Sequence, residues 1–282
     1  MITRKILVLL LCLALAGTSI TFAGKKKGHG KSDDADVNMS EPVRSQLGSP
    51  VEVAAPGVSE PSGIAWHRTL GRLLVIGDEG DLTALTHEGK KDWSVYGLGD
   101  LEDVAVHDAS GLVLLLSEQQ ARILVFDPKT RKTVGFWKLD QAGLLGQAPA
   151  DQNCGFEGLA VKPESGKANE VTLFLAHQAK PAMVVEVRVP LLKGNQTISA
   201  QHVQESFTWK GYSDLTAVTC VPGSSLLLVV SEKNDCLLVV DDTGRLHQVI
   251  ALAGEQQEGI CFDDQGTLWV ADDRAALLRY DQ

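Results

Sequence analysis

Aromatic residues are scarce in this chain, at 5% of 282 positions. A core must therefore rest on Val, Leu, Ile and Ala. At 44% hydrophobic and 22% charged, the composition is that of an ordinary globular protein with enough of them. Sustained 3.6-residue periodicity is missing too, so almost no helix is expected in the folded part. There is no Gly-x-Ser-x-Gly nucleophile elbow, no His-Glu-x-x-His zinc helix and no phosphate-cradling glycine loop. Cysteines number five, and their spacing matches no zinc pattern. Cys12 lies in an apolar N-terminal run. Cys154, Cys220, Cys236 and Cys261 allow three pairings if all are bridged, and the connectivity stays open.

The N-terminal run is the longest uncharged stretch. Arg4 and Lys5 precede Ile6 to Ala16, and Thr21-Phe22-Ala23 places small residues three and one before a cut ahead of Gly24. That is the layout of a secretory signal peptide. An uncleaved anchor is the alternative, since Ile6 to Ala23 gives 18 residues without charge, close to the least that spans a bilayer. Residues 1–23 are thus expected to be a signal or a membrane anchor. The protein is then periplasmic or secreted, or tethered to the inner membrane by residues 6–23. Residues 24–50 are polar and rich in Gly, Ser, Lys and Asp, and are expected to be a flexible linker.

The whole chain carries a formal charge of −10. Residues 1–23 contribute +2 and residues 24–50 contribute +1, which leaves −13 on residues 51–282. So acidic a domain repels nucleic acid and anionic membrane, and attracts cations or basic partners. Membrane contact is expected only through the N-terminal segment. A small molecule or a protein is the expected partner, and the domain is expected to be a monomer.

Residues 51–282 contain one module repeated five times. Its first element begins with a carboxylate and runs into a short apolar strand: Glu60-Pro-Ser-Gly-Ile-Ala-Trp66, Glu102-Asp-Val-Ala-Val106, Glu157-Gly-Leu-Ala-Val161, Asp214-Leu-Thr-Ala-Val218 and Glu258-Gly-Ile-Cys-Phe262. The carboxylates are 42, 55, 57 and 44 residues apart, a spacing that fits four short strands and their turns. A second, nearly continuous apolar run follows each, as strands buried on both faces do. A third strand and, in four copies, a fourth complete the module. The fifth copy lacks its fourth strand, and Val51-Glu-Val-Ala-Ala55 precedes the first copy unassigned. Pairing that segment with the last copy closes a ring and removes an exposed edge. The expected fold is all-β, a five-bladed β-propeller (six blades the alternative). Asp140–Asn153 is the longest insert; it is expected to hold one short turn of helix and, because it leads straight into Cys154-Gly-Phe-Glu157, to cover the channel mouth as a lid.

Equivalent positions in a propeller form rings around the axial channel. Glu60, Glu102, Glu157, Asp214 and Glu258 are therefore expected at one mouth. Two like charges about 4 Å apart repel by about 4 kcal/mol at an effective dielectric of 20, so five confined carboxylates require a cation, partial protonation or hydrogen bonds. Numerous hard oxygen ligands favour Ca2+, while capping of backbone N–H groups is the structural alternative. The second strands end near the same mouth and deliver Asp78, Glu79, Glu118, His177, Glu232 and Asp272 as candidate ligand-binding residues. His177 breaks the acidic pattern and is the one catalytic candidate, as a general base.

Pro61-Ser-Gly-Ile-Ala65, Gly155-Phe-Glu-Gly-Leu-Ala160 and Glu258-Gly-Ile260, with the closings at Asp78-Glu79, Glu118 and Glu232, resemble the bacterial SdiA-regulated family over residues 51–282. The resemblance implies a β-propeller held at or beyond the inner membrane, with a Ca2+ site. Two functions from different classes follow. One is a binding module that presents its channel mouth to a small ligand or a protein. The other is a Ca2+-dependent hydrolase of the phosphoesterase or lactonase type.

Overall fold

The structure, a computed structural model, describes residues 43–149, 155–163, 169–191, 194–274 and 276–281. The expected signal or anchor, residues 24–42 of the expected linker, and Cys154 lie outside the described residues. Two short strands come first, β1 (Val43–Gln46) and β2 (Val51–Ala54). Blade one follows as β3 (Pro61–His67), β4 (Arg72–Gly77), β5 (Asp81–Leu85) and β6 (Lys91–Val95). Blade two is β7 (Asp103–His107), β8 (Leu112–Ser117), β9 (Arg122–Asp127) and β10 (Lys132–Leu139). The expected turn of helix is α1 (Gln141–Leu145). Asp140 caps it, its Oδ1 accepting the Gly143 N–H at 3.2 Å. Leu144 and Leu145 drive it into the core.

Blade three comprises β11 (Phe156–Val161), β12 (Glu170–His177), β13 (Met183–Pro190) and β15 (Val203–Phe207), with β14 (Gln196–Ile198) leaving it to pair elsewhere. Blade four is β16 (Ala217–Cys220), β17 (Leu226–Ser231), β18 (Cys236–Asp241) and β19 (Leu246–Ala251). Blade five is β20 (Gln257–Phe262), β21 (Leu268–Asp272) and β22 (Ala276–Tyr280). Strand β2 completes it, pairing antiparallel with β22 in the register Val53 to Leu277. Only Val53 of β2 is buried, so the strand has one wet face. The ring is five-bladed and closed by its N-terminal strand, as the repeat predicts.

The core is divided among the five seams between blades. Each seam has its own apolar cluster, such as Val53, Leu73, Trp269 and Leu277 between blades five and one. Burial on both faces explains why the inner and second strands read as unbroken apolar runs. Two outer edges carry an extra strand. β1 lies parallel on β19 of blade four, and β14 lies parallel on β10 of blade two. The linker expected over residues 24–50 therefore ends earlier, because residues 43–46 cover a sheet edge that would otherwise be unpaired. Among the described residues, no helix is long and apolar enough to cross a membrane. Cys220, Cys236 and Cys261 are free thiols; burial pushes Cys220 up to about 12 and Cys236 up to about 11.

Candidate site at the acidic mouth of the channel

The strand pairings fix which residues are equivalent. Gly63 lies opposite Ile76, Asp103 opposite Leu116, Gly158 opposite Ala176, Ala217 opposite Val230, and Gly259 opposite Ala271. These five positions press innermost strands together. A Cβ on Gly63 would lie 2.7 Å from Asp103 Cα, one on Gly158 would lie 2.9 Å from Ala217 Cα, and one on Gly259 would lie 2.7 Å from Gly63 Cα. The residue just before each forms the ring at the mouth: Ser62, Glu102, Glu157, Thr216 and Glu258. In blades one, three and five it occupies a β-bulge opening the innermost strand, a device that turns a side chain away from its regular direction.

Three of the five expected ring carboxylates, Glu102, Glu157 and Glu258, therefore share one level. Glu60 and Asp214 do not; they stand two residues earlier. Both have left-handed backbone at φ 50°, an uncommon conformation outside glycine. Their carbonyls accept the N–H groups of Asp78 at 3.4 Å and Glu232 at 2.9 Å, the residues that leave the second strands. In their ring places stand hydroxyls that seal neighbouring blades. Ser62 Oγ donates to the Leu101 carbonyl at 2.8 Å, and Thr216 Oγ1 donates to the Gln257 carbonyl at 2.7 Å.

Burial followed by mutual repulsion moves the three carboxyls far from their ordinary range. Glu157 is pushed up to about 10, first by burial and then by Glu102 and Glu258. Glu102 rises to about 8, through burial, then Glu118 and Asp78. Glu258 also rises to about 8, through burial, then Glu232, Asp78 and Asp273. Each loses hydration and faces other carboxylates, so the neutral form is favoured. Asp78 rises to about 6, from burial and then from Asp273. Glu232 is raised by burial and then by Asp214, and Asp273 by burial and then by Asp272.

The second tier sorts by register. Residues leaving the second strands toward the mouth are Asp78, Glu118, Gln178, Glu232 and Asp273. Of the expected ligand-binding set, Asp78, Glu118 and Glu232 belong here, and Glu79 is one residue further on and exposed. Glu118 is held in place, its Oε1 accepting the Gly155 N–H beside α1. His177 and Asp272 fall one position earlier and turn into the blades. Asp272 is buried, and its two oxygens accept the N–H groups of Glu255 at 3.1 Å and Arg274 at 3.2 Å. His177 is 0% exposed and packs edge-on to Phe156, with ring centroids 5.3 Å apart. Its Nδ1 lies 2.8 Å from the Pro181 carbonyl and 3.0 Å from that of Ala179. Carbonyls only accept, so Nδ1 carries the proton. Asp273, one residue after the expected Asp272, takes the place at the mouth, and Asp100, which contributes to raising Glu102, was not among the expected residues. The doubled Asp272-Asp273 offered the only signal.

Beyond the ring the channel changes character. An opening of about 490 Å3 is lined by all five innermost strands, including Ile64, Val104, Leu159, Val218 and Ile260. Among the described residues, no three mouth carboxylates bring their oxygens within 4.8 Å of one another; the one His/Cys/Asp/Glu group that does is His87, Asp263 and Asp264. The mouth is therefore wider than a closed three-carboxylate cage.

Fold and site together define a five-bladed β-propeller whose axial channel is acidic at one mouth and apolar toward the other. The chain belongs to the SdiA-regulated family, whose family model matches residues 50–277. No curated protein matches it. Among solved structures it is similar to the hydrazine synthase of Kuenenia stuttgartiensis, at 13% identity and a TM-score of 0.45, over 76% of this chain. The chain spans 56% of that protein's length.

Proposed function

We propose that the protein is an exported binding module that takes a small ligand or a protein at its carboxylate mouth, with Ca2+ as the cation drawn there. The observation that carries this reading is the trio Glu102, Glu157 and Glu258, held as high as about 8, 10 and 8 by burial and by one another. Carboxyls that keep protons for want of a countercharge release them to a cation that supplies it. Oxygen donors on a mouth wider than a cage suit Ca2+, which takes six to eight oxygens and accepts ligand and water among them. Export is supported by the layout of Arg4, Lys5, Ile6 to Ala16 and Thr21-Phe22-Ala23.

The hydrolase reading places the same ion beside a general base. A base must reach its proton directly or through one water. His177 is completely buried with its Nδ1 committed to backbone carbonyls, which removes the candidate on which that reading depended. Binding is therefore the conclusion.

The deciding experiment is a Ca2+ titration of the full chain near pH 8, followed by thermal melting. Binding to the folded state raises Tm as the ion exceeds its Kd. The rise is expected in the wild type, with proton release, and is expected to shrink in Glu157→Gln. An unchanged wild-type Tm would remove Ca2+ from the proposal.

A further inference from the structure

The face opposite the carboxylate mouth holds a second group of metal-ligating side chains. His87 lies in the turn between β5 and β6 of blade one. Asp263 and Asp264 follow β20 of blade five, so the group straddles the seam where the ring closes. His87 Nε2 is 3.2 Å from Asp263 Oδ2 and 3.6 Å from Asp264 Oδ1, and one ligand atom from each of the three residues lies within 4.8 Å of the other two.

The geometry points to a site for a divalent transition metal of the zinc type, with His87 Nε2, Asp263 Oδ2 and Asp264 Oδ1 as ligands. Three observations carry it. First, bonds of about 2.0–2.2 Å to nitrogen and oxygen make tetrahedral edges of roughly 3.3–3.6 Å, close to the separations of 3.2 and 3.6 Å from His87 Nε2 to the two carboxylates. Second, the His87 Nε2 atom is buried and makes no hydrogen bond, although two carboxylates stand beside it. The aspartate oxygens lie off the axis on which a ring N–H donates, so the contact is not an ordinary hydrogen bond. Third, two of the three ligands, Asp263 and His87, are held in advance. Asp263 Oδ1 accepts the N–H groups of Gln265 at 2.8 Å and Thr267 at 2.9 Å, and its Oδ2 accepts the Trp269 Nε1–H at 3.0 Å. Trp66 packs against the His87 ring at a tilt of 38°, with centroids 4.4 Å apart. Oriented ligands with hydrogen-bonded outer partners are what a metal site requires.

The site borders the apolar part of the channel, because Trp66, Asp263 and Asp264 also line the 490 Å3 opening. Three protein ligands leave a tetrahedral ion one position to fill, the arrangement of sites that accept an exchangeable donor. The two ends of the channel then differ in ion chemistry: hard oxygen ligands at the carboxylate mouth, a mixed nitrogen and oxygen set here.

Cobalt(II) is the probe, since tetrahedral Co2+ absorbs strongly in the visible range. Full-length protein titrated with CoCl2 is expected to develop that absorption at one equivalent, and Zn2+ is expected to abolish it. Asp264→Asn and His87→Ala are each expected to weaken Co2+ binding by more than the roughly 10–100-fold that loss of an outer-shell partner costs. Glu52→Gln, on the exposed face of β2, is expected to bind Co2+ as the wild type does. Asp264 is 46% exposed, so Asp264→Asn decides the matter if His87→Ala fails to fold. Absence of tetrahedral absorption in the wild type, or its persistence unchanged in Asp264→Asn, would overturn the assignment. Either result is independent of the Ca2+ titration.

Discussion

Asp103 Oδ2 accepts the backbone N–H of Leu159 at 2.7 Å, so a single buried side chain joins the innermost strands of blades two and three. Its Oδ1 accepts the N–H of Val104, also at 2.7 Å. Asp103 occupies a position that is glycine in blades one, three and five. Asp103→Ala leaves two buried N–H groups without acceptors, each worth about 1–3 kcal/mol. A loss of roughly 2–6 kcal/mol is expected in urea unfolding. Asp103→Asn retains one acceptor and is expected to lose less. Equal stability of all three proteins would show that the bond contributes nothing.

The glycines at the same level test close packing between blades. Gly158→Ala and Gly259→Ala push a Cβ to within 3.0 Å of a neighbouring backbone, and overpacking of this kind costs about 1–3 kcal/mol. Gly48→Ala meets nothing within 4 Å and is expected to stay within about 0.5 kcal/mol of the wild type. Thermal unfolding of the three variants separates the two cases.

The mouth carboxyls make a pH prediction of definite sign. Glu102, Glu157 and Glu258 have folded values near 8, 10 and 8, above the ordinary range of a glutamate near 4.3. Between these limits the folded state binds more protons than the unfolded one, so stability falls as pH rises. Without added divalent ions, Tm is expected to decline from about pH 5 to pH 10. Glu157→Gln is expected to flatten that decline, and Ca2+ to oppose it at the alkaline end. A Tm that rises over this window would contradict the repulsion described for the mouth.

Closure of the ring rests on Val53. It is the buried residue of β2 and pairs with Leu277. Val53→Asp places a charge in the seam between blades five and one and is expected to cost ~2 kcal/mol or more. It also frees the β22 edge, so aggregation on heating is expected in light scattering. Glu52→Lys alters the wet face and is expected to change stability by about 0.5 kcal/mol at most.

The five-fold repeat, the strand order and the closure were legible because each blade writes the same apolar runs into the sequence. The level of the ring was less legible. Aligning copies on their first carboxylate equates Glu60 and Asp214 with Glu102, Glu157 and Glu258. The chain aligns them instead on the residue squeezed against the next blade, whether Gly63, Asp103, Gly158, Ala217 or Gly259. That rule puts Ser62 and Thr216 in the ring, and hydroxyls carry no sequence signal of a channel. His177 looked like a mouth residue because it closes an apolar strand; a one-residue step in a strand reverses the face, and Gln178 takes the outward place. Strands β1 and β14 escaped notice because each is short and pairs with a blade distant in sequence. The grouping of His87 with Asp263 and Asp264 depends on the ring closing, which brings together residues 176 positions apart.

The two strands that precede blade one both lie on the circumference, β1 along the outer edge of blade four and β2 along that of blade five. The polypeptide thus joins the disc from its flank rather than from above or below it. Tension on the first described residues would therefore peel the rims of blades four and five before it reached an innermost strand, and both openings of the bore stay clear of these two strands.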